Sequence, residues 1–320
     1  MEKDKYYTEK RRRRVKLIFN PAAGSSVSSS IQLMDVINLL QAWKFVPEVF
    51  ITKKDSNYGK MVKDTLLQGV NFFVVCGGDG TVSAVAKEII GLPATLGIIP
   101  KGTQNNVARS LNIPENLEQA VAILREGRRI KADMGQADCD KVAVPFLEVC
   151  SVGLMSSLFS AGDDIQHGHL ERLGDFLGTF VNSTPSQIRL KLEDKNEIVR
   201  MGHVVIVSNM PYIGRHCNVG KKNAYSDGLL DVMLFSSLNK MDLLGCAFKG
   251  RKISETNDPC IQHFFVHKAE IETKPEMQIM ADGVILGKGS VKIEVKHHSV
   301  AVMTIPSKTK NKSLREAADE

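Results

Sequence analysis

Residues 72–76 form an unbroken apolar run that leads directly into Gly77-Gly78-Asp79-Gly80-Thr81. A short run with no polar break fits a strand buried on both faces, and such strands belong to parallel sheets covered by helices on both sides. This one feature constrains the chain more than any other, and its neighbours agree with it. Residues 15–19, 46–52 and 95–99 read as further strands. Helices are predicted over 31–40, where Ile31, Met34, Ile37 and Leu40 recur at helical spacing, and over 58–67, 82–90, 105–111 and 117–125. Repeated βα units imply right-handed crossovers, with ligands held at the carboxyl ends of the strands.

The pattern changes near Lys131. Short β-rich runs follow at 146–149, 188–192, 204–207, 230–235, 263–271 and 291–295, with helical interruptions predicted at 170–180 and 240–248. Many strands at short spacing suggest a β-sandwich or barrel. The expected division is an α/β nucleotide domain over 1–131 and a β-sandwich domain over 132–296, with the site in the cleft between them.

Charge narrows the function classes. The 320 residues carry 42 Lys and Arg against 36 Asp and Glu, a net charge of +6. Residues 1–16 hold eight basic and three acidic side chains and residues 307–320 hold four and three, so the body between is neutral. A neutral body argues against a nucleic-acid-binding surface. The longest stretch free of charge, 17–34, has 18 residues and is interrupted by Asn20-Pro21 and the polar loop 25–30, and the next, 149–162 and 201–214, have 14 each; none supplies the roughly 20 predominantly apolar residues that a spanning helix needs. No secretory signal is evident at the start, and the six scattered cysteines form no C-x-x-C, so a cytoplasmic protein with reduced thiols is expected.

The chemistry is concentrated in loops. Glycines at 77, 78 and 80 let backbone amides approach a phosphate, and the following helix N-terminus favours its charge. Asp79 among those amides would repel a phosphate unless a cation lay between them, which points to Mg²⁺. The plainer reading is a tight turn with Asp79 capping a helix. Two further loops stand at the same end of the sheet: Asn20-Pro21-Ala22-Ala23-Gly24 and Pro100-Lys101-Gly102-Thr103-Gln104-Asn105-Asn106. Three such loops suit a nucleoside triphosphate. The P-loop and dinucleotide fingerprints are absent.

With these three loops, and with Asn209-Met210-Pro211-Tyr212 and Ala224-Tyr225-Ser226-Asp227-Gly228-Leu229-Leu230-Asp231-Val232, the chain resembles the bacterial diacylglycerol-kinase and sphingosine-kinase-like lipid kinases from about residue 14 to residue 305. The resemblance implies the two-domain fold above, with a C-terminal segment from about 297 to 320 returning to the first domain. It implies a peripheral membrane enzyme that transfers the γ-phosphoryl group of ATP to a lipid hydroxyl. Asn20, Gly77, Gly78, Asp79, Gly80, Thr81 and Thr103 would contact the nucleotide, and Asn105 would orient its loop. Asp79 and Asp227 would be Mg²⁺ positions, Asp227 a structural one. Asp133 matches an aspartate that supports the catalytic base.

The departures are equally specific. Relatives read D-G-E where this chain has Asp282-Gly283-Val284, N-E where it has Ser83-Ala84, and aspartate where it has Asn106. The glutamate of D-G-E is taken as the general base, and Val284 accepts no proton. Asp282 is then a candidate base, against the plainer reading of an Asp-Gly hairpin turn. A catalytically weakened or inactive nucleotide- or lipid-binding regulator is the alternative function, and an NAD kinase, which shares GGDGT, a third. Cys260, His263 and His267 have spacing that suggests zinc but lack a fourth ligand. The basic segment at 11–14 reads as a solvated arm, as a clamp on the first strand, or as an anchor to anionic membrane. Basic residues Arg215, His216, Lys221 and Lys222 would face solvent or an anionic headgroup, and exposed strand edges would allow a homodimer.

Overall fold

The run at 72–76 lies at the heart of a parallel sheet. The structure, a computed structural model, describes residues 12–24, 32–140, 142–154, 184–193, 197–213, 217–218, 224–236 and 261–305. Strands β1 (Arg13–Phe19), β2 (Phe45–Ile51), β3 (Phe72–Gly77) and β4 (Thr95–Pro100) pair in the order β2-β1-β3-β4, all parallel. Every residue of β3 and β4 is buried. Helices α1 (Leu33–Ala42) and α5 (Leu117–Glu126) cover one face through Val36, Leu40, Val121 and Leu124. Helices α2 (Tyr58–Leu67), α3 (Asp79–Glu88) and α4 (Asn106–Ser110) cover the other through Met61, Val62, Val82, Val85 and Val107.

The remaining strands are β5 (Arg128–Cys139), β6 (Val142–Phe146), β7 (Val149–Gly153), β8 (Ser186–Leu192), β9 (Ile198–Ser208), β10 (Tyr212–Ile213), β11 (Cys217–Asn218), β12 (Leu230–Ser236), β13 (Ile261–Val266), β14 (Lys268–Lys274), β15 (Gln278–Ala281), β16 (Val284–Lys288) and β17 (Ser290–Thr304). Most pair antiparallel around a second core that includes Ile188, Leu190, Val205, Val207, Leu230 and Ile271. In β8 burial alternates residue by residue, as in a strand with one dry and one wet face. The architecture is thus an N-terminal parallel-sheet domain followed by a C-terminal β-sandwich.

Two long strands join the layers. β17 pairs with β14 from Ser290, with β4 at Val302, and with β5 along most of its length. The β5–β17 register shifts between Lys296 and Val300, opposite Met134 and Ala132.

Two predicted strands are broken in the structure. The run 146–149 is split by the Leu147–Glu148 turn between β6 and β7, where the backbone N–H groups of Leu147, Glu148 and Val149 bond to the carboxylate of Asp282. The run 263–271 divides at His267, where the chain passes from pairing with β12 to pairing with β8 and β17. The predicted helices 170–180 and 240–248 and the basic residues Arg215, His216, Lys221 and Lys222 lie outside the described residues. Among those described, no helix is long and apolar enough to cross a membrane.

The basic segment is also shorter than its sequence suggests. Arg13 lies in β1 with its guanidinium 4.1 Å from the Phe72 ring centroid, and Arg14 bonds to Glu48 at 2.8 Å and to the Gln68 carbonyl at 3.0 Å. These two side chains clamp the first strand.

Candidate active site

The three loops converge at the carboxyl ends of β1, β3 and β4. Asn20 donates through Nδ2 to Thr81 Oγ1 at 2.9 Å and accepts from the Ala22 N–H at 3.0 Å. Lys101, almost fully buried, donates through Nζ to the Ala23 carbonyl at 2.7 Å. Gly78 and Gly102 meet backbone to backbone: a Cβ on Gly102 would lie 2.5 Å from Gly78 Cα. Only glycines fit there, and their contact joins the second loop to the third.

Asp79 supplies the next link. Its Oδ2 accepts from the Asn106 N–H and its Oδ1 from the Val107 N–H, each at 3.0 Å. The carboxylate thereby caps the first turn of α4, a neighbouring helix, and not its own α3. Burial raises the Asp79 pKa; the two backbone N–H bonds oppose that, Asp282 adds repulsion and Arg109 attraction. Each oxygen takes a single N–H, so lone pairs remain for a cation. Gly80 is exposed, and a Cβ on it would meet nothing within 4 Å. No side chain caps α3, whose N-cap is Gly78. Thr103 is exposed at the crest of the third loop.

Asn105 sits in the left-handed region at φ 52°. Its Oδ1 accepts from the Gly102 N–H at 2.8 Å, and its Nδ2 donates to the Gly102 carbonyl at 2.9 Å and to Glu115 at 3.1 Å. Both amide hydrogens are engaged within the protein, so Asn105 shapes the loop from beneath.

The structure gives Asp282 a different place from a base. Asp282 and Gly283 both have positive φ, 43° and 78°, and form the two-residue turn joining β15 to β16. The carboxylate accepts from the Leu147, Glu148 and Val149 N–H groups at 2.7, 2.9 and 3.1 Å and from the Ser83 hydroxyl. Lys87 Nζ stands 3.5 Å from Oδ2. Two donors on each oxygen leave no lone pair directed at a substrate proton, which corrects the expectation that Asp282 acts as the base.

Asp133 is likewise turned elsewhere. Fully buried, it accepts from the Gly228 N–H and the His298 N–H, each at 2.7 Å, and pairs with His297 Nδ1 at 2.9 Å. These bonds tie β5 to the Asp227–Gly228 loop and to β17, so the carboxylate meets neither Asp282 nor the β6–β7 turn. Only its carbonyl is linked to that turn, through Asn209 Nδ2, which bridges the Asp133 and Leu147 carbonyls at 3.0 and 2.8 Å. Asp227 is exposed and accepts from the Leu229 N–H at 3.0 Å. Burial, then the nearby Asp231 and Asp133 charges, raise its pKa against that bond. It belongs to this second cluster, away from the nucleotide loops. His263 Nε2 lies 3.6 Å from Asp231 and His267 Nδ1 2.7 Å from the Gly228 carbonyl, so the two histidines serve different partners; Cys260 lies outside the described residues.

Ser83, noted in the sequence only as a departure, and two residues that the sequence reading passed over, Lys87 and Glu148, complete the site. Ser83 and Lys87 stand one helical turn apart on α3 and both face Asp282. Glu148, in the β6–β7 turn, donates its backbone N–H to Asp282, and burial, then the Asp79 and Asp282 charges, push its carboxyl pKa well up against the influence of Asn106 and Lys87. The Ser83-x-x-x-Lys87 spacing was visible in the sequence; nothing in it connected Glu148 to residues 79 and 282.

Comparison with known proteins agrees with this fold. Residues 14–137 match the diacylglycerol kinase catalytic domain, and residues 166–304 match the YegS C-terminal NAD kinase beta sandwich-like domain. An uncharacterized Synechocystis protein is 24% identical over 87% of this chain and 67% of its own length. A Staphylococcus aureus protein named "Putative lipid kinase" is 26% identical over 79% of this chain and 80% of its own. The crystal structure of a diacylglycerol kinase from Bacillus anthracis superposes with a TM-score of 0.70 at 21% identity, covering 92% of this chain and 97% of that one. Carrying both domains in this order and this fold, the chain belongs to the diacylglycerol-kinase-like family of lipid kinases.

Proposed function

We propose that the protein transfers the γ-phosphoryl group of ATP to a lipid hydroxyl in the cleft at the carboxyl ends of β1, β3 and β4. The observation that carries this reading is the locking of three glycine-containing loops around one uncapped helix N-terminus, with Asp79 half-buried among them. Phosphoryl transfer depends on positioning and charge stabilisation more than on covalent chemistry. Backbone amides near Gly78 and Gly80 would bind the phosphates, Thr81 held by Asn20 and Thr103 would fix the nucleotide, and Asn105 would keep the third loop in place.

The residues present also fit a divalent cation. Asp79 retains acceptor capacity, and its repulsion with Asp282 and Glu148 is what a cation would relieve. Mg²⁺ bound there would neutralise charge on the transferring phosphates. Asp227, beside Asp133 and Asp231, is the candidate for a separate structural cation.

A lipid acceptor is supported by exposed aliphatic side chains near the Asp282 turn. Val284 and Ile285 on β16, directly after that turn, are 52% and 63% exposed. The basic residues Lys3, Lys5, Lys10 and Arg11 would then bring the enzyme to anionic membrane.

A second reading, a kinase-like regulator that binds nucleotide without turnover, draws on the saturation of Asp282 and on Val284. Labelled ATP, Mg²⁺ and mixed micelles of diacylglycerol, sphingosine or phosphatidylglycerol separate the two. Labelled phospholipid supports the kinase; ATP binding without transfer supports the regulator.

A further inference from the structure

Where β17 runs beside β5, three of its residues share the place of one. Lys296 pairs with Met134 and Val300 with Ala132, so His297, His298 and Ser299 all stand opposite Asp133. This is a bulge, and bulges re-aim side chains. In a regular strand His297 and His298 would point to opposite faces of the sheet. Here their rings stack, with centroids 3.6 Å apart and planes 27° from parallel.

The bulge is held on every side. The Ser299 hydroxyl donates to the Lys296 carbonyl at 2.5 Å, and the Ser299 carbonyl accepts from the Gly91 N–H at 3.0 Å. His298 sits in the left-handed region at φ 52°, a costly conformation for a residue with a side chain, and its N–H donates to Asp133 Oδ1 at 2.7 Å. Gly228, at φ 76°, packs against the His297 ring: a Cβ there would lie 3.2 Å from His297 Nδ1. Gly228 is fixed in turn, its N–H by Asp133 Oδ2 and its carbonyl by His267 Nδ1, each at 2.7 Å.

One oxygen of Asp133 and one ring nitrogen from each of His297 and His298 lie within 4.8 Å of one another. His297 Nδ1 is already 2.9 Å from Asp133 Oδ1. The carboxylate is fully buried and both imidazoles are exposed, so the group has a fixed inner anchor and an open outer side. Two imidazoles and a carboxylate, with water in the fourth position, make an open zinc site. Zinc bonds of about 2.0–2.2 Å set tetrahedral ligands about 3.3 Å apart. The exposed rings therefore need to close by about 1.5 Å or less. Mg²⁺ takes oxygen ligands, so the imidazoles distinguish this group from the position at Asp227.

We propose that Asp133, His297 and His298 form a site for a zinc-type transition-metal ion that fastens β17 to β5. An ion there replaces the hydrogen bond between His297 and Asp133 with two bonds to one centre, and water completes its coordination. Because β17 also pairs with β14 and β4, the ion would brace the strand that joins the two sheets.

The test uses the full-length protein, stripped with EDTA, dialysed and titrated with Zn²⁺ in a calorimeter in excess Mg²⁺. Wild type should bind one Zn²⁺ per chain, and its Tm should rise as Zn²⁺ is added. His297→Asn keeps a donor for Asp133 but loses the imidazole, and His298→Ala loses the second ring. Each should weaken Zn²⁺ binding at least about 10-fold, since loss of an outer-shell partner alone costs about 10–100-fold. Both should abolish the Tm rise while circular dichroism in EDTA stays as in wild type. X-ray absorption of the zinc complex should show nitrogen and oxygen neighbours at about 2.0–2.2 Å. No Zn²⁺ binding by wild type would overturn the inference. So would binding that both variants retain, binding that only Asp227→Asn removes, or sulfur neighbours at about 2.3 Å, which would assign the ion to cysteines.

Discussion

The Glu148 backbone N–H donates to the Asp282 carboxylate across 2.9 Å, binding the β6–β7 turn to the β15–β16 turn. With the Leu147 and Val149 amides, the Ser83 hydroxyl and Lys87 beside it, Asp282 joins two hairpins of the sandwich to helix α3 of the parallel-sheet domain. Replacing it by alanine leaves three backbone donors and a hydroxyl without this partner. Asp282→Ala should therefore cost about 3 kcal/mol or more of folding stability, since each buried unsatisfied group costs about 1–3 kcal/mol. Denaturant unfolding measures this. A change under about 0.5 kcal/mol, the size of an ordinary surface substitution, would contradict an anchoring role.

Gly80 and Gly102 separate folding from binding. Gly102→Ala forces a Cβ to 2.5 Å from Gly78 Cα and should both destabilise the protein and weaken ATP binding. Gly80→Ala meets nothing within 4 Å and lies in the first turn of α3, so the fold should be unchanged or slightly firmer. Its methyl group would instead intrude on bound phosphate, and KM for ATP should rise about tenfold, equivalent to about 1.4 kcal/mol of binding. An unchanged KM in Gly80→Ala would remove this loop from the nucleotide site.

Much of this was legible in the sequence. The run 72–76, the three loops and the GGDGT turn specified the parallel sheet and its ligand end, because strand burial and glycine chemistry are local signals. The Asp-Gly turn at 282–283 was legible for the same reason. Glu148 was not: it lies about 70 residues from Asp79 and about 130 from Asp282, and only the antiparallel pairing of β7 with β15 brings its turn against α3. The run 146–149 misled because its apolar character matches a strand, while its amides are taken by a distant carboxylate. Asp133 misled in a related way: its position on β5 was foreseeable, but the direction of its side chain depends on Gly228 and on the His297–His298 stretch of β17.

Stability should depend on pH through Glu148. Its folded pKa lies above the ordinary carboxyl range, so between the two values the folded state keeps a proton that the unfolded state has released. The associated stability is complete below the ordinary range and is lost as pH rises through the folded pKa. Glu148→Gln removes this loss. In EDTA, its Tm relative to wild type should increase between pH 5 and pH 8, and a difference independent of pH would contradict the buried carboxyl cluster.

The basic residues ahead of β1 should act apart from the fold. Removal of residues 1–11 spares Arg13 and Arg14, which clamp β1, so Tm should hold. Binding to vesicles rich in anionic lipid should weaken, by about 1 kcal/mol for each basic residue that had reached the surface. Sedimentation with vesicles of graded phosphatidylserine content measures this, and equal binding with and without the segment would refute membrane attachment by it.

The central claim is phosphoryl transfer from ATP to a lipid hydroxyl at the three joined loops. Its most direct measurement is the transfer of label from γ-labelled ATP to extractable lipid by wild type and Gly80→Ala side by side, with Mg²⁺ and each candidate lipid in mixed micelles. The account expects labelled phospholipid from wild type with at least one acceptor, and a raised ATP requirement in Gly80→Ala. Bound ATP with no labelled lipid from any acceptor would contradict it.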